Sequence, residues 1–336
     1  MDYQKLGRSG LTVSRLCLGT MLFGGVTDEK TSQRICDMAR DAGVNFIDTA
    51  DVYNFGNTEK VVGRAIKRKR ADWILATKVG NQFDAEAHNK AGLTRRWIAH
   101  QLDASLKRLG TDHVDIFYFH REDLDTALEE SVSAMGDAIR AGKVRYFGLS
   151  NFRAWRHAEV VRLCDQLGVD RPIVSQPYYN AFNRTPENEV LKACDHYGLG
   201  VVPYSPVARG VLTGKYKPGE KPRKGTRAGR ADVRMMQTEF REDSLRLAQT
   251  VVAHAEARGM TPAQFAVNWV LANKFITAAI AGPRTVAQMK DYLGTFAHDW
   301  TAEDEALIDS LVPQGHNSTH GFIDPGYTIE GRPVAF

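Results

Sequence analysis

The amino-acid sequence predicts a closed (β/α)₈ TIM barrel, and three observations lead to this fold class. Short apolar segments rich in strand-forming residues recur along the 336 residues, each followed by a segment with helical spacing. Glycines end many of the helical segments just before the next strand. Strict alternation of strands and helices implies parallel pairing with right-handed crossovers. We therefore expect a single domain over 1–336, with the barrel at about 14–295 and a C-terminal helix and tail at 301–336.

Eight segments have the character of barrel strands, and they follow a predicted hairpin around Tyr3–Val13. An open doubly wound sheet is the alternative, and it is disfavoured because no G-x-G-x-x-G follows any of these segments. The length also suits one barrel, since such barrels often exceed 250 residues. The predicted strands are Arg15–Gly19, Val44–Asp48, Trp73–Lys78, Val114–His120, Arg145–Leu149, Ile173–Gln176, Gly200–Tyr204 and Thr277–Ala281.

The intervening segments have the periodicity of amphipathic helices. Apolar residues at i, i+4, i+8 and i+11 lie on one face of a helix with 3.6 residues per turn. Thr261 followed by Pro262 is typical of a helix start, with a capping residue before Pro at the first position. The clearest apolar series are Ile98, Leu102, Leu106 and Leu109, then Leu128, Val132, Met135 and Ile139, then Ala248, Val251, Val252 and Ala255.

Composition excludes several classes of protein. The chain carries 44 Lys and Arg against 40 Asp and Glu, a net charge of +4, which is too small to indicate a nucleic-acid or membrane partner. No apolar run approaches the roughly 20 residues of a spanning helix, and the first ten residues lack the apolar core of a secretory signal. The four cysteines show neither a CxxC pair nor metal-ligand spacing. We expect a cytoplasmic globular protein without a metal site.

Two segments fall outside the repeat. Ser205–Arg234 is a long irregular stretch after the seventh strand, and its part from Lys215 to Arg234 holds eight basic and two acidic residues. Such a loop is either a solvated surface segment or a lid over a negatively charged ligand. The tail Pro313–Phe336 is rich in Gly and Pro and is predicted to be coil. The basic run Lys67–Arg70 is predicted to complement the dipole at a helix C-terminus.

Polar side chains end three neighbouring strands, where a parallel barrel gathers its functional groups at one mouth. Asp48, Lys78 and His120 end the second, third and fourth strands, and Tyr53 follows Asp48 by five residues. Singly, each is typical of a residue that meets solvent or caps a helix. Together they predict a proton donor, because a nearby ammonium favours phenolate and lowers a tyrosine pKa from its usual value of ~10.

Motifs in chain order give the sequence a specific resemblance to the aldo-keto reductase family, from Lys5 to about Leu293. The long loop after strand 7 resembles the bacterial branch that is itself similar to potassium-channel β subunits. The resemblance implies a (β/α)₈ barrel and NADPH-dependent reduction of aldehydes or ketones. The motifs are Asp48-Thr49-Ala50 with Tyr53, Thr77-Lys78, Tyr118-Phe119-His120, Gly148-Leu149-Ser150-Asn151, Ser175-Gln176, Pro203-Tyr204-Ser205-Pro206 and Gly282-Pro283-Arg284-Thr285.

The resemblance implies a role for each catalytic candidate. Tyr53 is expected to be the general acid that protonates the carbonyl oxygen, and Lys78 to lower its pKa. Asp48 is expected to pair with Lys78, and His120 to orient the carbonyl or share the proton. The substrate pocket is expected to include Phe23, Tyr53, Phe55 and His120.

The resemblance also implies a binding site for NADPH. Ser150, Asn151 and Gln176 would hold the carboxamide, and Tyr204 would stack on the nicotinamide. Ser205 and the Arg209–Lys215 segment, including Leu212, would follow the pyrophosphate, so that the basic loop would act as its lid. Arg284 would contact the 2′-phosphate, and Gln288 and Asp291 the adenine side, where Tyr292 departs from the common Asn. The remaining expected contacts are Gly19, Thr20, Met21, Asp48, Pro206 and Gly282.

Two other functions stay open. The first is a nicotinamide-binding regulatory module with little turnover, motivated by the resemblance to channel β subunits. The second is a metal-dependent hydrolase or isomerase, which is disfavoured because the strand ends lack clustered His and carboxylate ligands. The expected partner is a small carbonyl compound, with neither nucleic acid nor membrane. Association into a homo-oligomer is not decided by the sequence.

Overall fold

A computed structural model describes residues 1–82 and 89–327, and its centre is an eight-stranded parallel sheet. A short antiparallel hairpin of β1 (Tyr3–Lys5) and β2 (Thr12–Ser14) precedes it. Every later strand pairs in parallel with its neighbour in the sheet order β10-β3-β4-β5-β6-β7-β8-β9. The strands are β3 (Leu16–Gly19), β4 (Phe46–Asp48), β5 (Ile74–Val79), β6 (Val114–Phe119), β7 (Val144–Ser150), β8 (Val174–Gln176), β9 (Gly200–Val201) and β10 (Ala279–Ala281).

The sheet closes on itself between β9 and β10. Val201 forms a parallel bridge with Ile276, and the amide of Thr277 donates to the carbonyl of Val201 at 2.8 Å. Further along, the amide of Ile280 donates to the carbonyl of Pro203 at 3.0 Å. These bonds join the last strand to the seventh barrel strand, while β10 also pairs with β3. The predicted (β/α)₈ barrel is confirmed.

Helices surround the barrel, and local sequence explains many of their ends. Thr94 and Thr261 cap helix starts by accepting hydrogen bonds from backbone amides, and Gly110 and Gly198 end helices in the left-handed conformation. The helices are α1 (Glu29–Asp41), α2 (Asn57–Ile66), α3 (Arg95–Leu109), α4 (Leu128–Arg140), α5 (Ala154–Leu167), α6 (Val190–Tyr197), α7 (Val233–Thr238), α8 (Glu242–Ala257), α9 (Pro262–Ala272), α10 (Val286–Leu293) and α11 (Ala302–Leu311).

The hydrophobic core has two layers, because successive residues of a strand point to opposite faces. On β3, Leu16 and Leu18 pack outward in the larger cluster with the helices, while Cys17 belongs to a smaller cluster inside the barrel. Leu6 and Val13 of the hairpin segment also join the inner cluster. The hairpin therefore contributes to the packed interior of the barrel.

The structure differs from the sequence prediction chiefly at element boundaries. The seventh strand is predicted to reach Tyr204 but ends at Val201, and Tyr204 forms only an isolated bridge with Tyr178. The long loop after it is not wholly irregular, since it contains two 3₁₀ turns and the start of α7. The coil predicted for the tail is observed up to residue 327, and 328–336 lie outside the described residues. Within the described part of the chain, no helix is long and apolar enough to cross a membrane.

A buried histidine ties α5 to β8. The ring of His157 is fully buried, with Nδ1 2.9 Å from the carbonyl oxygen of Arg153 and Nε2 2.9 Å from Oγ of Ser175. Because a carbonyl can only accept, Nδ1 carries the proton and Nε2 accepts from the hydroxyl. Burial lowers the pKa of His157 to about 4. The neutral ring therefore helps to fix the strand that ends in Gln176.

We predict that acidification destabilises the protein partly through His157. The unfolded imidazole gains a proton near pH 6.5, whereas the folded one gains it only near pH 4. Above pH 6.5 the neutral His157 does not lower the free energy of unfolding. As the pH drops from 6.5 towards 4, His157 lowers the free energy of unfolding by up to about 3 kcal/mol. Urea unfolding at pH 7.5 and 5.0 should show a smaller loss for His157→Gln than for the unaltered protein. The control His196→Gln alters an exposed histidine and should lose as much free energy of unfolding between the two pH values as the unaltered protein. Equal losses in the unaltered protein and both variants would contradict this role of His157.

Candidate active site

Four of the predicted residues lie together at the carboxyl ends of three adjacent strands. Asp48 is the last residue of β4, Lys78 lies near the end of β5, and His120 directly follows β6. Tyr53 begins the 3₁₀ turn Tyr53–Gly56, which returns the chain after β4 to the same mouth. The parallel order of the strands places these ends side by side. The predicted convergence is thus present in the structure.

A buried ion pair forms the floor of this cluster. Nζ of Lys78 lies 2.5 Å from Oδ1 of Asp48, with side-chain exposures of 0% and 3%. The ammonium also donates to the carbonyl of Thr49 at 2.7 Å, and Oδ2 of Asp48 accepts from Nε2 of Gln176 at 2.9 Å. Buried charges are tolerated when their remaining hydrogen-bonding capacity is also satisfied. The two side chains are held in one arrangement.

The phenol of Tyr53 lies above this pair. Nζ of Lys78 is 3.5 Å from Oη of Tyr53 and 5.1 Å from the centre of its ring. The ring of His120 meets the ring of Tyr53 edge-on, with centres 5.9 Å apart. The phenolic oxygen is therefore within reach of an ammonium, and an imidazole flanks the same ring.

Burial corrects the expected ionisation of Tyr53. The sequence argument predicts that Lys78 lowers the pKa of the phenol. In the structure, burial raises the pKa of Tyr53, Lys78 opposes it, and Asp48 adds to it, so that the pKa lies above its ordinary value. The expectation weighed the ammonium without the loss of water around the phenol. Tyr53 is consequently protonated at neutral pH.

The same dry environment fixes the charges of the neighbouring bases. Burial lowers the pKa of Lys78, but Asp48 and Tyr53 raise it by more, so the group stays an ammonium. Burial, Lys78 and Arg121 together lower the pKa of His120 well below 6.5, so its imidazole is neutral. Nδ1 of His120 is buried and has no hydrogen-bond partner among residues 1–82 and 89–327. The cluster thus offers one cation, one neutral phenol and one neutral imidazole.

The next strand ends supply a linked set of amides and hydroxyls. Oγ of Ser150 donates to the carbonyl of Gln176 at 2.9 Å, and Nδ2 of Asn151 donates to the carbonyl of His120 at 2.9 Å. Oη of Tyr204 donates to Oδ1 of Asn151 at 2.8 Å. Asn151 adopts a left-handed backbone with φ of 58°, which its short polar side chain tolerates. These four predicted residues are therefore brought together beside the ion pair.

A cluster of like charges follows β9. Burial lowers the pKa of Lys215, and Arg284, Arg227 and Arg230 lower it further. Among these cations, Arg227 pairs with Asp232 at 3.0 Å. A Cβ added to Gly210 would lie 2.5 Å from Nζ of Lys215, so the ammonium rests directly over this backbone. Such a concentration of positive charge fits an anionic ligand.

The remaining predicted residues differ in their burial and in their hydrogen bonds. The ring of Phe23 is fully buried in the outer core, whereas Phe55 is 83% exposed. Their assignment to the substrate pocket stays a prediction. Leu212 is also fully buried. Oδ1 of Asp291 accepts from Oγ1 of Thr261 at 2.7 Å, and Oε1 of Gln288 accepts from the amide of Arg284 at 2.8 Å. Of the remaining predicted contacts, Gly19 and Thr20 lie at the end of β3, Met21 follows them, and Ser205, Pro206, Arg209 and Gly282 follow β9 or β10.

Sequence reasoning missed the structural role of Asn54, which stabilises the turn that carries Tyr53. Nδ2 of Asn54 lies 3.0 Å from the carbonyl of Phe23 and 3.3 Å from that of Met21. The backbone of Asn54 is left-handed, with φ of 46° and ψ of 41°. Oγ1 of Thr58 donates to the carbonyl of Phe23 at 2.8 Å as well. An Asn directly after Tyr53 could have indicated a turn at this point, because Asn is enriched at left-handed backbone positions.

The tail and the loop after β9 are joined by ion pairs and hydrogen bonds that no local pattern predicts. Arg234 of α7 holds both oxygens of Asp324 at 2.9 and 2.6 Å. Arg241 donates to Ser318 at 2.8 Å, and its guanidinium lies 3.9 Å from the ring centre of Phe322. The guanidinium of Arg121, next to His120, lies 5.9 Å from the ring of Tyr327. The tail therefore lies near the mouth that holds His120.

Comparison with known proteins identifies the class to which this barrel and site belong. The model of the aldo/keto reductase family matches residues 15–313. The chain belongs to the aldo/keto reductase family. Within the described residues, no group of three or more His, Cys, Asp or Glu side chains is arranged to hold a metal ion.

Relatives from three organisms match most of the chain. A protein of Bacillus subtilis (strain 168) named "Uncharacterized oxidoreductase YrpG" is 40% identical over 324 residues, covering 93% of this chain and 96% of its own. A "Probable voltage-gated potassium channel subunit beta" of Arabidopsis thaliana is 37% identical, covering 87% and 90%. The "Versiconal hemiacetal acetate reductase" of Aspergillus parasiticus is 32% identical, covering 81% and 86%.

We predict that Asn54 stabilises the Tyr53 turn both through its amide and through its backbone conformation. Asn54→Ala removes the hydrogen bonds and places a less tolerant residue at positive φ, and should lower the free energy of unfolding by about 2–4 kcal/mol. Asn54→Gly removes only the hydrogen bonds and should cost less, about 1–3 kcal/mol. Urea unfolding of both variants measures the difference. Midpoints for both variants equal to that of the unaltered protein would refute this role.

Proposed function

We propose that this protein is an NADPH-dependent reductase that converts an aldehyde or ketone to an alcohol, with Tyr53 as the general acid. The observation that carries the proposal is the position of the half-buried Tyr53 above the buried Asp48–Lys78 ion pair. Family membership supports an oxidoreductase of this type. The names of two relatives, an oxidoreductase and a reductase, support it as well.

The residues present fit a phosphorylated nicotinamide cofactor. Arg284 and Lys215 belong to a cationic cluster that calls for anionic groups, and they would hold its phosphates. Asn151 and Gln176 offer amides, and Tyr204 an aromatic ring, for its nicotinamide end. When bound, the cofactor would supply the hydride that adds to the carbonyl carbon.

The chain's own residues would manage the proton. The raised pKa of Tyr53 keeps its hydroxyl protonated, so it can donate to the carbonyl oxygen as negative charge develops there. The ammonium of Lys78 would then stabilise the phenolate that Tyr53 becomes, without solvent in between. Asp48 keeps Lys78 charged and in place. The neutral imidazole of His120 would orient the same carbonyl oxygen by a hydrogen bond.

We also propose a cellular setting and a partner for this reaction. We place the protein in the cytoplasm, acting on a small carbonyl compound without a nucleic-acid or membrane partner. A second function, a nicotinamide-binding regulatory module with little turnover, is favoured by one finding, the channel β-subunit name of relatives such as the one from Arabidopsis thaliana. The presence of the complete set Asp48, Tyr53, Lys78 and His120 favours the reductase. Turnover of a carbonyl compound separates the two functions.

We predict that Tyr53→Phe abolishes carbonyl reduction. The substitution removes the transferable proton while keeping the ring, and loss of a general acid lowers rates by about 10²–10⁴-fold. The assay follows NADPH absorbance at 340 nm with 4-nitrobenzaldehyde. Tyr197→Phe removes a hydroxyl from a half-buried tyrosine on α6 and should leave the rate unchanged. Normal turnover by Tyr53→Phe would rule out this residue as the acid.

We predict that Arg284 selects NADPH over NADH. Arg284→Ala removes a guanidinium that would pair with the 2′-phosphate, and a charge-assisted bond of about 2–3 kcal/mol corresponds to roughly 30- to 150-fold in affinity. Fluorescence titration should show that loss for NADPH and less than about threefold for NADH. Arg258→Ala, which alters an arginine paired with Asp304 beside α11, serves as the control. Equal losses for both nucleotides would contradict selection by Arg284.

A further inference from the structure

A basic groove lies between α2 and α3, on residues that the proposed function does not use. It is an open cleft with a volume of about 440 Å³. Gly63 lets the two helices approach closely, because a Cβ at this position would lie 2.2 Å from the carbonyl oxygen of Leu109. The groove is thus a fixed feature of packed backbone, and its cations are Lys60, Arg64, Lys67, Lys107 and Arg108.

The charge of this basic groove is only partly neutralised. Arg64 holds the exposed Glu29 at 2.5 Å, and Arg108 holds the buried Glu59 at 2.6 Å. Both carboxylates lie outside the groove lining, which contains no acidic residue. The three lysines take part in no ion pair among the residues that the structure describes. An excess of three positive charges is therefore left facing one cleft.

Helix dipoles explain only part of this pattern. Lys67 follows the last residue of α2, and Lys107 lies in the last turn of α3, where cations are favourable. Lys60 is the fourth residue of α2, near the positive end of that helix, where a cation gains nothing from the dipole. Helix stabilisation therefore does not account for the position of Lys60.

We infer that the basic groove binds a small ligand carrying two or more phosphate groups. The volume exceeds what one phosphate needs and lies in the range of small-molecule sites. The unpaired lysines lie on two helices, so one anionic group cannot neutralise all of them, whereas a chain of phosphates contacts several. Lys provides a point charge for phosphate, and the nearby Arg64 and Arg108 provide planar donors. This site is separate from the cationic cluster around Lys215 and Arg284.

Calorimetric titration of inorganic tripolyphosphate into the full chain tests the inference. The triple variant Lys60→Gln, Lys67→Gln, Lys107→Gln should bind at least roughly tenfold more weakly, since three exposed ion pairs of about 0.5 kcal/mol each are lost. The control triple variant Lys5→Gln, Lys192→Gln, Lys274→Gln removes the same charge from other surfaces and should change affinity by less than about threefold. Thermal melting establishes that both variants are folded.

The outcomes separate this site from the proposed cofactor site. Because the cluster around Lys215 and Arg284 also attracts phosphate, the groove substitutions are repeated in an Arg284→Ala background, where they should still weaken tripolyphosphate binding at least roughly tenfold. The groove variant alone should leave NADPH binding intact. No binding by the unaltered chain, equal weakening in both triple variants, or loss of binding in Arg284→Ala alone would each overturn the inference. Failure of NADPH turnover would not, because the groove does not depend on the proposed reaction.

Discussion

The buried ion pair between Asp48 and Lys78 is the constraint on which the rest of the site depends. Removing one partner of a buried pair typically costs about 3–5 kcal/mol, because the other charge is left without compensation. The pair is stable because two further hydrogen bonds satisfy its remaining polar atoms. The amide of Gln176 donates to Asp48, and Lys78 donates to the carbonyl of Thr49. Gln176 ends β8, three strands away from β5 in the sheet order, so the sheet must curl before its hydrogen bond to Asp48 can form. Fold and chemistry are linked at this point.

Burial, with the pair as a second influence, sets the ionisation of Tyr53 and His120. The dry interior that makes the Asp48–Lys78 attraction strong is the same interior that raises the pKa of Tyr53 and lowers that of His120. A single ammonium therefore sits beside a phenol and an imidazole that are both uncharged. The phenol and the imidazole stay neutral before reaction. The Lys78 ammonium lies where it would stabilise a negative charge that develops on the phenol oxygen.

The sequence predicted the strands, the helices and the residues at strand ends, because local patterns encode them. It did not predict features that depend on packing between distant segments. Alternating strands and helices identified the barrel, and each strand end pointed to Asp48, Lys78 or His120, because parallel topology turns sequence position into spatial position. The burial of Phe23 and the raised pKa of Tyr53 could not be predicted in this way, since both depend on how much water the completed fold excludes. The contact between Arg234 and Asp324 joins residues 90 positions apart, and no spacing pattern encodes it.

Closure of the barrel between β9 and β10 has a consequence for how the chain is made. A nascent chain that has emerged only as far as residue 270 already contains Asp48, Tyr53, Lys78 and His120. It lacks Ala279–Ala281, the strand that seals the sheet against β3. Until that strand is released, the interior is open to water and the lysine–aspartate attraction is screened. The amino-terminal four-fifths of the polypeptide therefore holds every proposed proton-transfer group, but not the environment that gives these groups their ionisation states.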